Sequence, residues 1–314
     1  MKQIYFALIL LLTMGIVSCR KSGNDVDIKT YDQQQIDAYI KANNLANMKR
    51  DVTDGDTSGI YYEILSQGYG AGNELNYETP ASLVYSIKSL DGNYVVSDTI
   101  LNHSYNYVGT TTPKGLMIAL HNLAKFKGTR AKFIIPSRLA YGPSGSGTGP
   151  GRLTGNQSLE YYVNVINNQN LYDDQVITKY LAANNLAGYT RIPSGEYEGL
   201  YYKVTQQGTG TDIIKPTSTI TVQYTGRHLN GPYLNQTIFD QANTETGASF
   251  ILEGTIQGWV GGLQKVTAGG KLSLFIPSKL GYGTNAQTDQ NTGLVSIPAN
   301  SVLHFELNIL TVTN

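Results

Sequence analysis

The stretch Ile276-Pro-Ser-Lys-Leu-Gly-Tyr-Gly283 occurs a second time in this chain, with two changes, as Ile135-Pro-Ser-Arg-Leu-Ala-Tyr-Gly142. The copies lie about 140 residues apart, and a repeat of that length is typical of a duplicated domain rather than a solenoid. A chain of 314 residues also suits two domains of ordinary size. We therefore expect two similar domains in tandem, with their boundary in the polar segment near residues 167–171.

A predicted helix stands in front of each copy. Residues Tyr31–Ala46 align with Tyr172–Ala187, and both segments carry apolar residues at the spacing of an amphipathic helix with one docked face. Asp32 and Gln35 predict a capping box at the start of the first helix. The Asn-Asn pair that both segments carry near their end is typical of a helix terminus.

Strand patterns follow in the second copy. Thr219–Thr225, Lys271–Ile276 and Leu303–Ile309 alternate between faces, which is typical of half-buried antiparallel strands. Between them, Trp259 and Leu263 indicate one short helix that covers a sheet. Two glycines inside that segment weaken the helix by about 1 kcal/mol each, so tertiary packing has to hold it. Runs of strands with one short helix predict an α+β fold.

The N-terminus has the pattern of an exported protein. A charged start precedes the apolar run Ile4–Val17, so residues 1–18 are predicted to be a secretory signal peptide, too short for a membrane span. The segment Ile16–Cys19 resembles a bacterial lipobox, and Cys19 is the only cysteine. We expect lipidation of Cys19, a tether over residues 19–30, and a lipid-anchored place in the bacterial cell envelope, on the periplasmic side or the outer surface. An ordinary signal peptide with an incidental cysteine is the alternative.

Composition and spacing argue against several other functions. The chain has 23 basic and 23 acidic residues, and the absence of a basic excess speaks against nucleic-acid binding. Its four histidines are scattered without metal-ligand spacing, so we expect surface or plain polar histidines and no metal site. Asp54–Gly59 begins like a calcium loop but lacks the closing glutamate, and we interpret it as a turn.

Five short motifs of the second half, in order, carry a resemblance to a known family. They are Tyr224-Thr-Gly226, Phe239-Asp240, Gly258-Trp259, Ile276-Pro277 with Tyr282-Gly283, and Ile297-Pro298 with Leu303 and Phe305. Together they resemble the signature of the FKBP-type peptidyl-prolyl cis-trans isomerases over roughly residues 196–314. The first half keeps enough of the pattern to resemble a degenerate copy. The expected organisation is a signal peptide (1–18), a tether (19–30), a degenerate FKBP-like domain (31–168) and an FKBP-type isomerase domain (169–314).

The resemblance implies, for each domain, a twisted antiparallel sheet wrapped around a short helix, with an apolar pocket between them in the second. It also implies isomerisation of X-Pro bonds in proline-containing unfolded or exported polypeptides, without cofactor or metal, and a pocket that could accept a macrolide-type ligand. The indole of Trp259 would floor the pocket, and the Ile256 N–H and the Tyr282 hydroxyl would hold carbonyl oxygens beside the proline. The family's pocket positions fall on nine residues: Tyr224, Phe239, Asp240, Phe250, Ile256, Trp259, Tyr282, Ile297 and Phe305.

The first copy keeps the fold signature and loses this pocket. Tyr85 and Tyr141 match the two pocket tyrosines of the second copy, whereas other counterparts differ in chemistry. The expected counterparts are Ile100-Leu101 for Phe239-Asp240, Pro113 for Ile256, Leu116 for Trp259, Leu153 for Ile297 and Tyr161 for Phe305. Proline at position 113 also removes a backbone donor. We expect a copy kept for structure, or for binding something else.

Three functions stay open at this level. The first is an isomerase in the C-terminal domain. The second is a lipid-anchored chaperone or peptide-binding module with little catalysis, favoured by the inserted residues 232–237, the extended loop 284–293 and the missing basic partner after Asp240. The third is a structural envelope protein in which both repeats act as spacers and Trp259 is plain core.

Overall fold

The computed structural model describes residues 26–52, 58–97, 104–230 and 233–314 of the chain. The predicted signal peptide, Cys19 and most of the predicted tether lie outside these ranges. So do Asp54 and the three residues after it, as well as Ile100 and Leu101. The expectations about residues 1–25 and about the Asp54 turn stay predictions.

The N-terminal half builds one seven-stranded antiparallel sheet with two helices. The helices are α1 (Ile28–Ala42) and α2 (Lys114–Ile118), the latter continued by a wider turn to Ala124. The strands are β1 (Lys49–Arg50), β2 (Tyr61–Ser66), β3 (Pro80–Ser89), β4 (Val95–Val96), β5 (Ser104–Tyr107), β6 (Arg130–Ile135) and β7 (Leu159–Ile166). Their order in the sheet is β1-β2-β6-β7-β3-β4, and β5 also pairs with β3.

The C-terminal half repeats this arrangement. Its helices are α3 (Gln169–Ala183) and α4 (Gln257–Leu263). Its strands are β8 (Thr190–Arg191), β9 (Tyr201–Gln206), β10 (Thr219–Asn230), β11 (Tyr233–Ala242), β12 (Ala248–Ile251), β13 (Lys271–Ile276), the small pair β14 (Gln287–Thr288) and β15 (Val295–Ile297), and β16 (Leu303–Thr313). The main sheet runs β8-β9-β13-β16-β10-β11, and β12 also pairs with β10.

Strand for strand, the two sheets have the same order and the same antiparallel pairing. In each half, one short helix lies against the sheet on one face, and the long helix that precedes the half packs on the other. Ile177 and Tyr180 of α3, for example, pack with Phe275 of β13. The predicted α+β architecture is therefore confirmed, and each half encloses its own apolar core.

The long helices begin earlier than the sequence pattern predicted. The N-cap of α1 is Asp27, whose carboxylate accepts the N–H of Lys29 at 3.2 Å. The predicted capping box at Asp32 is wrong, because Asp32 lies inside the helix and its buried carboxylate pairs with Arg138 at 3.5 Å. The helix end predicted at the first Asn-Asn pair is confirmed. Asn44 takes φ 53°, a left-handed conformation that asparagine tolerates after a helix.

Three glycines explain how α4 can lie so close to the sheet. A Cβ on Gly258 would sit 2.4 Å from the Ile276 side chain, and one on Gly262 would sit 2.6 Å from Leu274. On the other side, a Cβ on Gly261 would meet the ring of Tyr197 at 2.5 Å. The residues that weaken the isolated helix are thus the ones that let it pack against its neighbours.

Of the two alternatives predicted for the histidines, surface or plain polar, two residues exclude the first. His228 and His304 are only 5% and 6% exposed, and each stacks on a phenylalanine, Phe239 and Phe275 respectively. His304 lies on the face of β16 that points away from α4, and α3 covers that face. Burial lowers the pKa of His304 to about 4, so the ring stays neutral at physiological pH.

Candidate active site

A cavity of about 450 Å³ lies between α4 and the concave face of the C-terminal sheet. Seven of the nine predicted site residues line it: Tyr224, Asp240, Phe250, Ile256, Trp259, Tyr282 and Phe305. The strands β10, β11, β12 and β16, the start of α4 and the turn after β13 each contribute at least one of them. Residues far apart in the sequence thus meet at one site, as the resemblance implied.

Trp259 forms the aromatic centre of this cavity. Its indole is 4% exposed and meets three rings edge to face: Tyr224 at 5.0 Å, Phe305 at 5.3 Å and Phe250 at 5.7 Å between ring centroids. Edge-to-face pairs stabilise by about 0.5–1.5 kcal/mol each beyond simple burial. The indole is therefore fixed by its neighbours. Among the described residues, its Nε1–H finds no hydrogen-bond acceptor.

Tyr224 and Asp240 form the polar pair of the cavity. The Tyr224 hydroxyl donates to Asp240 Oδ2 at 2.7 Å, which is the partner the sequence suggested for this carboxylate. Burial, and then this hydrogen bond, raise the pKa of Tyr224. Burial and the negative charge of Asp240 raise the pKa of Tyr282 as well. Both phenols therefore stay protonated at neutral pH, and the Tyr282 hydroxyl remains a donor.

The start of α4 places a backbone donor at the cavity. Ile256 is the N-cap residue with φ −66° and ψ 147°, and its carbonyl accepts the N–H of Trp259 at 2.9 Å. In the described part of the chain, the Ile256 N–H itself donates no hydrogen bond. An N–H at this position, next to the indole, can bind a carbonyl oxygen of a chain lying over Trp259.

Two predicted site residues stand behind the lining rather than in it. Phe239 packs edge-on against Phe305 at 5.6 Å and stacks on His228, so it supports the wall. Ile297 is 5% exposed and belongs to the core beneath the cavity. Sequence reasoning missed four lining residues, Gly254, Thr255, Gln257 and Gly281. They neighbour Ile256 or Tyr282 in the chain, which was the available signal.

The same place in the N-terminal domain can be identified from close backbone contacts. A Cβ on Gly115 would sit 2.3 Å from Ile135, as one on Gly258 would sit 2.4 Å from Ile276. The residue after each glycine is Leu116 in the first domain and Trp259 in the second, which bears out the predicted alignment. Leu116 is 1% exposed and fully packed in the core. Pro113 is the N-cap of α2, as Ile256 is of α4.

Sheet register identifies two further losses in the first domain. Ile87 pairs with Tyr161 as Gly226 pairs with Phe305. The neighbour of Ile87 on the adjoining strand is Val96, whereas that of Gly226 is Asp240. Val96 therefore takes the place of the carboxylate, a position that sequence alignment had given to Leu101.

The wall formed by Phe250 is lost in the same way. Phe250 pairs with Ile220, four residues before Tyr224, and Asn106 pairs with Ala81, four residues before Tyr85. The exposed Asn106 thus stands where the aromatic wall would be. Tyrosines 85, 141 and 161 remain, and burial raises the pKa of each of them.

Metal-binding clusters and membrane-spanning helices are absent from the described ranges. No group of three or more histidine, cysteine, aspartate or glutamate side chains is arranged to hold a metal ion there. None of the helices described is long and apolar enough to cross a bilayer.

Known proteins resemble the part of the chain that carries the cavity. Residues 210–310 match the family model described as FKBP-type peptidyl-prolyl cis-trans isomerase. A probable FKBP-type peptidyl-prolyl cis-trans isomerase of Haemophilus influenzae is 42% identical over 116 residues, which cover 36% of this chain and 43% of that protein. The isomerase FkpA of Aeromonas hydrophila is 37% identical over 134 residues, covering 43% of this chain and 44% of the relative. The chain thus matches less than half the length of these curated relatives.

Solved structures that are similar to the chain include two of FKBP-type proteins. The crystal structure of FkpA from Escherichia coli is 30% identical, covers 45% of this chain and 60% of its own, and superposes with a TM-score of 0.35. The structure of the three FKBP domains of wheat FKBP73 is 18% identical, covers 85% of this chain and 98% of its own, and has a TM-score of 0.32. By the family match and the curated relatives, residues 210–310 are similar to domains of the FKBP type.

Proposed function

We propose that the C-terminal domain is a peptidyl-prolyl cis-trans isomerase that acts on X-Pro bonds of unfolded or exported polypeptides. The observation that carries the proposal is the cavity of about 450 Å³ whose floor is Trp259 and whose walls are Tyr224, Phe250 and Phe305. A prolyl ring is a compact apolar group, and an aromatic cleft of this kind accepts it through apolar contacts.

The chemistry needs no nucleophile. Rotation about an X-Pro bond faces a barrier of about 18–20 kcal/mol because amide resonance has to be broken. Among the described residues, the cavity lining holds no histidine, cysteine or lysine. The twisted amide has lost resonance and is less polar than the planar one, so an apolar, water-poor cleft favours the twisted state over the ground state.

Two donors hold one side of the bond while the other side turns. The Ile256 N–H and the Tyr282 hydroxyl face the cavity from α4 and from the turn after β13. Asp240, bound to the Tyr224 hydroxyl, orients that ring against Trp259 and takes no proton in the reaction. The N-terminal domain, with Leu116 and Pro113 at the corresponding places, contributes no catalysis in this proposal.

The proposed setting of this reaction is the bacterial cell envelope. It follows from the sequence of the first 30 residues, with a signal peptide over 1–18, a lipid on Cys19 and a tether to residue 30. The domain division at residue 168 and the acceptance of a macrolide-type ligand by the Trp259 cavity belong to the same proposal.

The test is an X-Pro peptide isomerisation assay with the full chain and its Trp259→Leu variant, which copies the first domain at this position. We expect the wild type to accelerate exchange. The variant should lose about a hundredfold in kcat/KM, equivalent to about 2.7 kcal/mol, because leucine offers no aromatic floor for the prolyl ring in the transition state. The control is Leu116→Met in the N-terminal domain, which exchanges two apolar side chains of similar volume. It should leave the rate unchanged. Exchange no faster than in buffer would overturn the proposal.

A second candidate function, a peptide-binding chaperone with little catalysis, is favoured by one observation. The loop that follows Tyr282 exposes two apolar side chains, Leu294 at 70% and Val295 at 51%. Exposed apolar groups can bind an unfolded chain. Suppression of aggregation of an unfolded client by a wild type that fails the isomerisation assay would select this function instead.

A further inference from the structure

A chain of hydrogen bonds links the N-terminal domain to the C-terminal pocket. Its central residue is Ser82 of β3, whose hydroxyl donates to Gln169 Oε1 at 2.9 Å and accepts from Asn300 Nδ2 at 2.5 Å. Gln169 lies in the first turn of α3 and donates onward from Nε2 to Asp173 Oδ1 at 2.7 Å. The other oxygen of Asp173 accepts both the N–H and the hydroxyl of Ser278, each at 2.7 Å.

The two ends of this chain enclose the turn that carries Tyr282. On one side, the carbonyl of Ser278 accepts the N–H groups of Gly281 and Gly283, at 3.0 and 2.8 Å, which closes the turn around Tyr282. On the other side, the N–H of Asn300 donates to the carbonyl of Gly283 at 2.7 Å. Tyr282 is therefore held between two residues that both bond, directly or through α3, to Ser82.

Three of the five residues of this hydrogen-bond chain are shielded from water, and Ser82 and Gln169 are half-buried. Asp173 is 0% exposed, Ser278 2% and Asn300 6%. A buried polar group that loses its partner costs more free energy than an exposed one, because water cannot replace the bond. The hydrogen bonds therefore define one position of the turn.

We propose that the N-terminal domain positions the Tyr282 turn of the pocket through Ser82, with Gln169, Asp173 and Asn300 as the other positioning residues. The proposal rests on the proposed isomerase function, in which the Tyr282 hydroxyl binds a carbonyl oxygen of the substrate. It gives the degenerate domain a role in the reaction without a pocket of its own.

The N-terminal domain offers a contrast within the same chain. Asn156 is the counterpart of Asn300: it has φ 58° where Asn300 has φ 57°, and its N–H donates to the carbonyl of Gly142 at 2.8 Å. The side chain of Asn156, however, is exposed, whereas that of Asn300 is buried against Ser82. The same backbone turn therefore occurs with and without the link to a second domain.

The experiment compares Asn300→Gly with Asn156→Gly in the full chain. Glycine keeps the positive φ at both positions, so each variant removes a side chain without straining the turn. Asn300→Gly should lower kcat/KM for an X-Pro peptide about fivefold, the effect of one lost buried hydrogen bond. Most of the loss should fall on kcat, because the Tyr282 hydroxyl binds best to the twisted substrate. Asn156→Gly should retain the wild-type value.

A second pair tests the same link from the other domain. Ser82→Ala removes the shared hydroxyl and should reproduce the loss seen with Asn300→Gly. Ser82→Thr retains the hydroxyl on a strand that accepts β-branched residues, and should restore the wild-type rate. Thermal unfolding of all four variants identifies any that fail to fold. If a variant of one pair fails to fold, the other pair tests the proposal.

Peptide affinity separates failure of this proposal from failure of the proposed function. Trp259 is the only tryptophan, so its fluorescence reports peptide binding at the pocket alone. If the wild type binds peptide without catalysis, the proposed isomerase function is wrong. In that case, weaker peptide binding by Asn300→Gly than by Asn156→Gly still supports positioning of the Tyr282 turn by the N-terminal domain. Wild-type rates and affinities for both Asn300→Gly and Ser82→Ala would overturn it, as would equal losses in Asn300→Gly and Asn156→Gly.

Discussion

The two domains share one topology and differ in what fills the space between helix and sheet. Both keep the glycine before the central helix residue, the Ile-Pro-Ser turn and the two tyrosines. Around that frame, Trp259 corresponds to Leu116, Ile256 to Pro113, Asp240 to Val96 and Phe250 to Asn106. The two tyrosines of the cleft are thus kept with the fold, whereas the indole, the carboxylate, the phenylalanine wall and the backbone donor can be lost while the fold is kept.

A second contrast lies in the buried aspartate that docks each long helix to its Ile-Pro-Ser turn. Asp32 forms an ion pair with Arg138 at 3.5 Å, and that guanidinium also donates to the carbonyl of Ser58 at 2.7 Å. At the corresponding place in the second domain, Asp173 receives hydrogen bonds from Ser278 and Gln169, with Lys279 as a more distant charge. The charge of Asp32 is balanced by the guanidinium of Arg138, whereas the hydrogen bonds to Asp173 come from neutral donors.

The largest effect expected from this contrast is on the pH dependence of stability. Burial raises the pKa of Asp173 to about 6 from 3.8, so the folded state binds its proton more tightly than the unfolded state. The contribution of Asp173 to stability is therefore full below about pH 4 and is lost as pH rises through about 6. The loss amounts to about 3 kcal/mol.

Chemical denaturation of the wild type and of Asp173→Asn between pH 4 and pH 7 measures this effect. Because asparagine stays neutral, the variant should gain stability relative to the wild type as the pH rises. The difference between the two curves removes the contribution of His304, whose lowered pKa acts in the opposite direction. A constant difference between wild type and Asp173→Asn would contradict the prediction.

A smaller effect is expected when the missing indole is put into the first domain. Leu116→Trp adds volume at a site that is 1% exposed, and overpacking of this kind costs about 1–3 kcal/mol. It should also create no isomerase activity, since Asn106 and Val96 still stand in place of the wall and the carboxylate. Urea denaturation and the peptide assay, run in a Trp259→Leu background, check both points. A gain of activity would show that the indole alone separates the two domains.

The smallest effect is expected from the backbone donor. Ile256→Pro copies Pro113 and fits the backbone, because Ile256 has φ −66° and the preceding Thr255 is extended with ψ −179°. It removes the N–H that faces the cavity and should lower kcat/KM about tenfold, equivalent to about 1.4 kcal/mol. Ile256→Val keeps the N–H and serves as control in the same assay. An unchanged rate for the proline variant would remove the N–H from the mechanism.

The sequence predicted the architecture because duplication makes each motif appear twice and because strand alternation and glycine spacing are local signals. Seven cavity residues were predicted since they sit in short motifs of fixed order. Features that depend on strand register could not be predicted from the sequence. Val96, for example, lies opposite Ile87 because of the register in which β3 and β4 pair. The burial of His304 depends on a helix more than 120 residues earlier in the chain. The bond between Ser82 and Asn300 joins residues 218 positions apart, a distance at which no pattern is visible.

The glycines of α4 have a consequence for the order of assembly. A seven-residue helix with Gly258, Gly261 and Gly262 loses about 1 kcal/mol of helix propensity at each glycine and cannot persist alone. The floor of the cleft therefore forms only when Ile276 and Leu274 of the finished sheet are there to receive the helix. We therefore expect the sheet to be in place before Trp259 can serve as the floor of the cleft.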